Sequence, residues 1–384
     1  MKIVLVAGAR PNFMKIAPIL RAIEKHNASE SKNFIEPVLV HTGQHYDYEM
    51  SKVFFEDLEL PEPDIHLGIG SGSHAEQTGK VLIEFEKVLI ERKPDLALVV
   101  GDVNSTLAAA LAAVKLHIPV AHVEAGLRSF DREMPEEINR LLTDAISDYL
   151  FTPSPDADEN LKNEGISKEK IFLVGNVMVD SLLFNKDIAA RSEILSRLGL
   201  QRGEYALLTL HRPGNVDCRN NLSKISLALM DVSQRIPIIF PCHPRTSKNI
   251  NQYGLGKYFK VVDGGASGNL NANGVHLIHP LGYLDFLQLM INCKFVMTDS
   301  GGIQEETTVL NIPCLTLRNT TERPITISEG TNILVGNNIL KIVNEAFEIL
   351  DGSGKRGSRP QLWDGGAGDR IVEILASGSR STVI

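Results

Sequence analysis

Three carboxylates, Asp102, Glu124 and Glu136, stand where a parallel sheet should release its chain. Asp102 ends the apolar run Asp95-Leu-Ala-Leu-Val-Val-Gly-Asp102, Glu124 ends Ile118-Pro-Val-Ala-His-Val-Glu124, and Glu136 opens the helical pattern Pro135-Glu-Glu-Ile-Asn-Arg140. Ligands of open α/β sheets bind outside the carboxyl ends of the strands, so acids converging there suit proton transfer better than packing. Two strand-tip carboxylates side by side would repel, and repulsion raises the proton affinity of one of them. Each acid also has a plainer reading. Asp102 serves a turn, Glu124 pairs with Arg128, and Glu136 favours the first turn of its helix.

Other residues suit anions. The first strand runs into Gly8-Ala-Arg-Pro-Asn-Phe-Met-Lys15, where Pro11 fits the first turn of a helix. Arg10 and Lys15 then flank a helix N-terminus, ready for a phosphate or sugar oxygen, or simply form a solvated basic start. Neither G-x-x-x-x-G-K-[ST] nor G-x-G-x-x-G is present. His211, in Leu210-His-Arg-Pro-Gly-Asn215, follows the first strand of the second half, placed to contact a diphosphate or protonate a leaving group, or simply to serve as a structural histidine. Cys242-His-Pro-Arg245 repeats that pattern one strand later. The most specific motif is Thr298-Asp-Ser-Gly-Gly-Ile-Gln-Glu-Glu306. Ser300, Gly301 and Gly302 would let backbone N–H groups approach phosphate oxygens at a helix start, and Glu306, one turn on, could accept both hydroxyls of a ribose. Arg318 and Arg323 follow the next strand, to reach phosphates or to pair with local acids.

The scaffold these residues need is α/β. Near-continuous apolar strands alternate with helical patterns, as in parallel sheets covered on both faces. Strands are expected at Lys2–Ala7, Glu36–His41, Leu96–Val100, Val120–Val123, Tyr149–Thr152 and Ile171–Val174, and from Tyr205–Leu210, Pro237–Phe240, Val275–Ile278, Phe295–Met297, Cys314–Leu317 and Ile333–Val335 in the second half. A length of 384 residues suits two domains, with the boundary within Gly175–Gly203. Gly264–Gly274, rich in Gly and Asn, reads as a surface loop, and a final helix near Asp369–Leu375 could pack on either domain. A net charge of -8 argues against a general nucleic-acid or anionic-membrane surface. No run approaches the ~18 apolar residues of a membrane span, and the apolar start before Arg10 is too short for a signal segment. Four scattered cysteines without a C-x-x-C pair suit a reduced, cytoplasmic protein.

Taken together, Gly-Ala-Arg-Pro, Gly-Asp-Val-Asn-Ser-Thr, His-Val-Glu-Ala-Gly-Leu-Arg, Pro-Glu-Glu-Ile-Asn-Arg, Leu-His-Arg-Pro, Asp-Ser-Gly-Gly-Ile-Gln-Glu-Glu and Thr-Glu-Arg-Pro resemble the non-hydrolysing UDP-N-acetylglucosamine 2-epimerase family, essentially end to end. The resemblance implies a GT-B-like fold of two Rossmann-like, doubly wound domains with the active site in the cleft between them. The domains would be residues 1–176 with the acid/base groups, 177–365 with the UDP site, and a C-terminal helix or tail at 366–384 that packs back on the first. It also implies a homodimer and no cofactor: no nicotinamide, metal or pyridoxal. The reaction implied is inversion at C2 between UDP-GlcNAc and UDP-ManNAc, through elimination and re-addition of UDP. By motif match, Asp102, Glu124 and Glu136 are the acid/base set, and His211, Arg10 and Lys15 work on the diphosphate and sugar. Ser300, Gly301, Gly302 and Glu306 hold phosphate and ribose with Arg323 beside them, while Phe286 and the Leu281 backbone face uracil. The chain departs from many members at Gly-Ala-Arg-Pro-Asn-Phe and at Gly43-Gln-His-Tyr46, a segment through which some members bind an activating second UDP-GlcNAc. The segments His-Thr-Gly-Gln-His and Arg-Ser-Phe resemble the 2-epimerases of UDP-diacetamido-glucuronic acid.

Overall fold

The apolar runs of the first half become seven parallel strands: β1 Lys2–Ala7, β2 Glu36–His41, β3 Ile65–His66, β4 Leu96–Val100, β5 Val120–Val123, β6 Tyr149–Thr152 and β7 Ile171–Leu173. They pair in the order β3-β2-β1-β4-β5-β6-β7. The second half builds another all-parallel sheet from β8 Ala206–Thr209, β9 Ile238–Pro241, β10 Lys260–Val261, β11 Val275–Ile278, β12 Phe295–Thr298, β13 Cys314–Thr316 and β14 Asn332–Leu334. Its order is β10-β11-β9-β8-β12-β13-β14. These strands belong to a computed structural model that describes residues 1–8, 10–29, 33–43, 61–262 and 270–377.

In the middle of each sheet the strand order reverses, between β1 and β4 in the first and between β8 and β12 in the second. Adjacent crossovers leave such a switch point in opposite directions, which opens a crevice at the carboxyl ends of the two strands. Gly8 and Gly101-Asp102 follow the strands at the first switch point, and His211 and Asp299-Ser300 follow those at the second. All five residues of β4 and all four of β5 are buried, as strands covered by helices on both faces must be.

The chain divides into two compact units, Met1–Leu183 with Gln361–Ile384, and Phe184–Pro360. This division falls inside the helix Val177–Ala189, some residues beyond the 176/177 boundary expected from the motifs. In the first unit the helix Ala367–Ser377 lies against the helix Arg10–Ala28. Asp180 caps it, accepting from the backbone N–H groups of Ala367 at 3.2 Å and Gly368 at 2.7 Å, and the Trp363 indole donates to the Pro153 carbonyl at 2.9 Å.

Two edge strands and one long helix are among the elements to which the sequence reading gave no bounds. The edge strands β3 and β10 have two residues each, too few to carry a pattern. The helix His74–Arg92 starts from a capping box, in which the Glu76 carboxylate accepts from Ser73 N at 2.9 Å and Ser73 Oγ accepts from Glu76 N at 3.3 Å. No described helix is long and apolar enough to cross a membrane.

Candidate functional site

In the first unit the site grows from the turn that ends β4 and the turn that ends β5. Gly101, Glu124 and Gly126 all adopt left-handed backbone, at φ +68°, +69° and +79°. Glycine does so freely, whereas a glutamate there carries a conformational cost that its surroundings must hold in place. Lys15, in the second turn of the helix Arg10–Ala28, brings its ammonium onto Glu124 Oε2, and the two side chains are only 9% and 4% exposed. A Cβ on Gly101 would stand 2.7 Å from that ammonium, so the glycine makes room for the pair. Asn12 ties the helix to both strand ends, donating to the Val100 carbonyl at 3.0 Å and accepting from Gly8 N at 3.2 Å. The second oxygen of Glu124 is buried without a hydrogen-bond partner among the described residues. A buried carboxylate oxygen in that state is a rarity that calls for a reason. An incoming donor or transferable proton supplies one.

Asp102 meets a different cation. Its Oδ2 lies 2.5 Å from Arg140 Nη1 and its side chain is partly exposed. Arg140 is itself aimed by Glu137, whose Oε2 accepts from Nε at 3.0 Å and Nη2 at 2.7 Å. Glu137 also accepts from Ser129 N, Ser129 Oγ and Phe130 N at 2.9–3.0 Å. Burial pushes the Glu137 carboxyl up, but the Ser129 and Arg140 donors outweigh it and hold the group below its ordinary value. Glu136, half-buried in the first turn of the same helix, forms no ion pair or hydrogen bond among the described residues.

These placements correct two expectations. Asp102 and Glu124 each face a cation, Arg140 and Lys15, so mutual repulsion is not what sets their chemistry. Arg128 is no partner for Glu124; it pairs with Asp144 and Glu164, each at 2.7 Å. The Arg10 side chain, Gln44–Tyr46 and most of the Gly264–Gly274 loop lie outside the described residues.

In the second unit Asp299, fully buried after β12, organises the turn after β8. It accepts from His211 N at 3.1 Å, Arg212 N at 3.0 Å and Asn215 Nδ2 at 3.0 Å, and it faces His211 Nδ1 at 3.0 Å. Burial raises its pKa, and His211, Asn215 and Arg212 together bring it below the usual aspartate value. The arrangement orients an imidazole that is 54% exposed, as an orienting carboxylate does for a catalytic histidine. Asp299 lay inside a motif valued for its glycines and was not singled out there.

Ser300 precedes the helix Gly301–Leu310, whose first N–H groups have no intrahelical partner. A Cβ on Gly301 would collide with the Arg323 guanidinium and stand 2.8 Å from Glu322 Oε1. Arg323 pairs with Glu305 Oε1 at 2.6 Å and with Glu322 Oε1. Glu322 also gathers Arg318 at 2.7 Å and Arg212 at 3.5 Å. Burial raises its pKa, yet Arg323, Arg318 and Arg212 hold the carboxyl far below its ordinary range. Arg318 and Arg323 therefore do pair with local acids. Arg212, Arg318 and Arg323 still gather beside a helix N-terminus, a setting for a phosphate.

Glu306, 4% exposed, accepts from the Tyr283 hydroxyl at 2.9 Å. Burial, with Glu305 adding to it, pushes its pKa up to about 7. Tyr283 opens the helix Tyr283–Asn292, which also carries the half-buried Phe286 and follows the half-buried Leu281. The hydroxyl thus brings the proposed base-binding segment onto the proposed ribose carboxylate.

Comparison with known proteins bears on this geometry. A family model described as UDP-N-acetylglucosamine 2-epimerase matches residues 27–376. The UDP-N-acetylglucosamine 2-epimerase of Methanocaldococcus jannaschii is 47% identical over 383 residues, covering 98% of this chain and 100% of that one. The UDP-2,3-diacetamido-2,3-dideoxy-D-glucuronate 2-epimerase of Pseudomonas aeruginosa is 43% identical, covering 98% and 99%. The crystal structure of the M. jannaschii enzyme in complex with UDP-GlcNAc and UDP is similar with a TM-score of 0.85 at 46% identity, covering 98% of this chain and 100% of that one. The solved relatives share the GT-B-like arrangement of two Rossmann-like domains.

Proposed function

The chain belongs to the UDP-N-acetylglucosamine 2-epimerase family, and from that premise we propose that it reversibly inverts C2 of UDP-GlcNAc to give UDP-ManNAc without net hydrolysis. The observation that carries the reading is Glu124, a buried carboxylate in costly backbone at a strand end, with one oxygen on Lys15 and the other without a partner.

The chemistry explains the division of residues. The C2 proton of the sugar is not acidic, so its removal is coupled to departure of UDP. The C1–O bond breaks with its electrons on the β-phosphate oxygen, the C2–H electrons form a C1=C2 double bond, and a carboxylate takes the proton. The products at this point are 2-acetamidoglucal and UDP. In the return step the UDP oxygen adds to C1 while a protonated group delivers hydrogen to the other face of C2. Separate acid/base groups must serve the two faces, and cations must meet the charge that develops on the diphosphate.

In this reading Asp102, Glu124 and Glu136 form the acid/base set. His211, oriented by Asp299, acts on the diphosphate with Arg10 and Lys15. Ser300, Gly301, Gly302 and Arg323 hold the phosphates, Glu306 the ribose hydroxyls, and Phe286 with the Leu281 backbone the uracil. The protein acts as a homodimer.

The test is product identity. Purified protein incubated with UDP-GlcNAc and resolved by ion-exchange chromatography should yield UDP-ManNAc with the total nucleotide sugar conserved. Stoichiometric free UDP and ManNAc would overturn the non-hydrolysing reading. The 43% identity to the P. aeruginosa enzyme favours one second substrate. Turnover of UDP-2,3-diacetamido-glucuronate but not of UDP-GlcNAc would move the assignment there.

A further inference from the structure

The strand-end carboxylates hang on the three left-handed residues Gly101, Glu124 and Gly126, the first directly before Asp102 and the last two residues beyond Glu124. One buried couple reaches both turns. Asp144, on the helix Pro135–Ile146 and 1% exposed, accepts from Gly126 N at 3.0 Å on Oδ2 and from His122 Nδ1 at 2.6 Å on Oδ1. His122, in β5 and fully buried, turns its other nitrogen onto the Gly101 carbonyl at 2.8 Å. Arg128 closes the cluster. Its Nη1 is 2.7 Å from Asp144, its Nε and Nη2 donate to Glu164 at 2.7 Å, and Nη1 also donates to the Leu127 carbonyl at 2.8 Å.

The geometry points to His122 and Asp144 as positioning residues, which fix the main chain presenting Asp102 and Glu124 while being too buried to touch a substrate themselves. The inference rests on the proposed C2 epimerisation. A group acting only on stability would need a connection to neither turn. This couple has one to each: through the Gly101 carbonyl to the residue before Asp102, and through Gly126 N to the turn that follows Glu124. Small misplacements of reacting groups are expensive in rate, and groups behind the reacting ones set that placement.

Two substitutions separate the links. His122→Asn keeps a donor near the Nδ1 position, toward Asp144, and deletes the one toward Gly101. His122→Gln carries its amide near the Nε2 position and deletes the other. The Asn variant should lose about 10- to 100-fold in kcat with KM for UDP-GlcNAc changed by less than about twofold, and the Gln variant should recover most of the loss. Melting temperatures are measured alongside. Wild-type kcat in the Asn variant would overturn the inference. So would equal losses in both variants that track their melting temperatures. If the wild-type protein turns nothing over, the reaction reading fails on its own. The positioning claim is then read from backbone amide exchange in the same variants. Faster exchange at residues 101–103 in His122→Asn than in His122→Gln supports it, and identical exchange overturns it.

Discussion

Replacing Glu306 by glutamine should stabilise the protein in alkali and weaken its hold on UDP. The carboxyl sits 4% exposed with one donor, Tyr283, and with Glu305 nearby, so burial lifts its pKa from 4.5 to about 7. At about 1.4 kcal/mol per pH unit, ionising it costs the fold about 3 kcal/mol. Between pH 4.5 and 7 the native state keeps a proton that the unfolded chain has released. The stability tied to that proton is complete below pH 4.5 and is lost as pH rises through 7. Glutamine cannot ionise, yet it keeps an oxygen for the Tyr283 hydroxyl. Urea unfolding followed by circular dichroism should therefore show the Gln variant gaining about 3 kcal/mol on the wild type between pH 4.5 and pH 8. A stability difference that stays constant across this range would refute the reasoning, because it would mean that burial does not govern the carboxyl. Ribose hydroxyls donate best to the ionised form, so UDP binding below pH 7 should release a proton. Calorimetry should show the Gln variant binding UDP about 10- to 100-fold more weakly.

Three further outcomes follow from the same geometry. Glu124→Gln removes the proton acceptor while leaving the second unit untouched, so kcat should fall by about 10²–10⁴ with UDP binding by calorimetry retained; retained turnover would remove Glu124 from the acid/base set. Gly301→Ala drives a methyl group into Arg323 and Glu322, and UDP affinity should drop about tenfold or more as the phosphate donors shift. Asp299→Ala strips the acceptor from His211 N, Arg212 N and Asn215 and should cost about 3 kcal/mol in denaturant titrations. Because the Asp299 pKa is depressed, its contribution is present above the unfolded value of 3.8. The gap between wild type and variant should narrow as pH falls below that value.

Strand ends were legible because β4 and β5 are buried on both faces and read as unbroken apolar runs that stop at a carboxylate. The all-parallel sheets followed from the alternation of such runs with helices. Partner choice was not legible. Lys15 and Glu124 are 109 residues apart, and Asp102 and Arg140 are 38 apart, so nothing local announces either pair. Glu136 and Glu137 are neighbours on one helix, where a turn of about 100° per residue sends one inward and leaves the other half-exposed. Sequence pattern identified the acidic pair but not that Glu137 is the residue aiming Arg140. The Ser73–Glu76 capping box could have revealed the helix His74–Arg92, since both residues stand at the diagnostic spacing.

The most direct measurement of the central claim is proton NMR of the purified protein with UDP-GlcNAc in D2O. Removal of the C2 proton by a carboxylate and its return from solvent predict UDP-ManNAc carrying deuterium at C2. UDP-ManNAc that forms with its original C2 proton fully retained would contradict proton exchange at the carboxylates, and no change in UDP-GlcNAc would contradict its being the substrate.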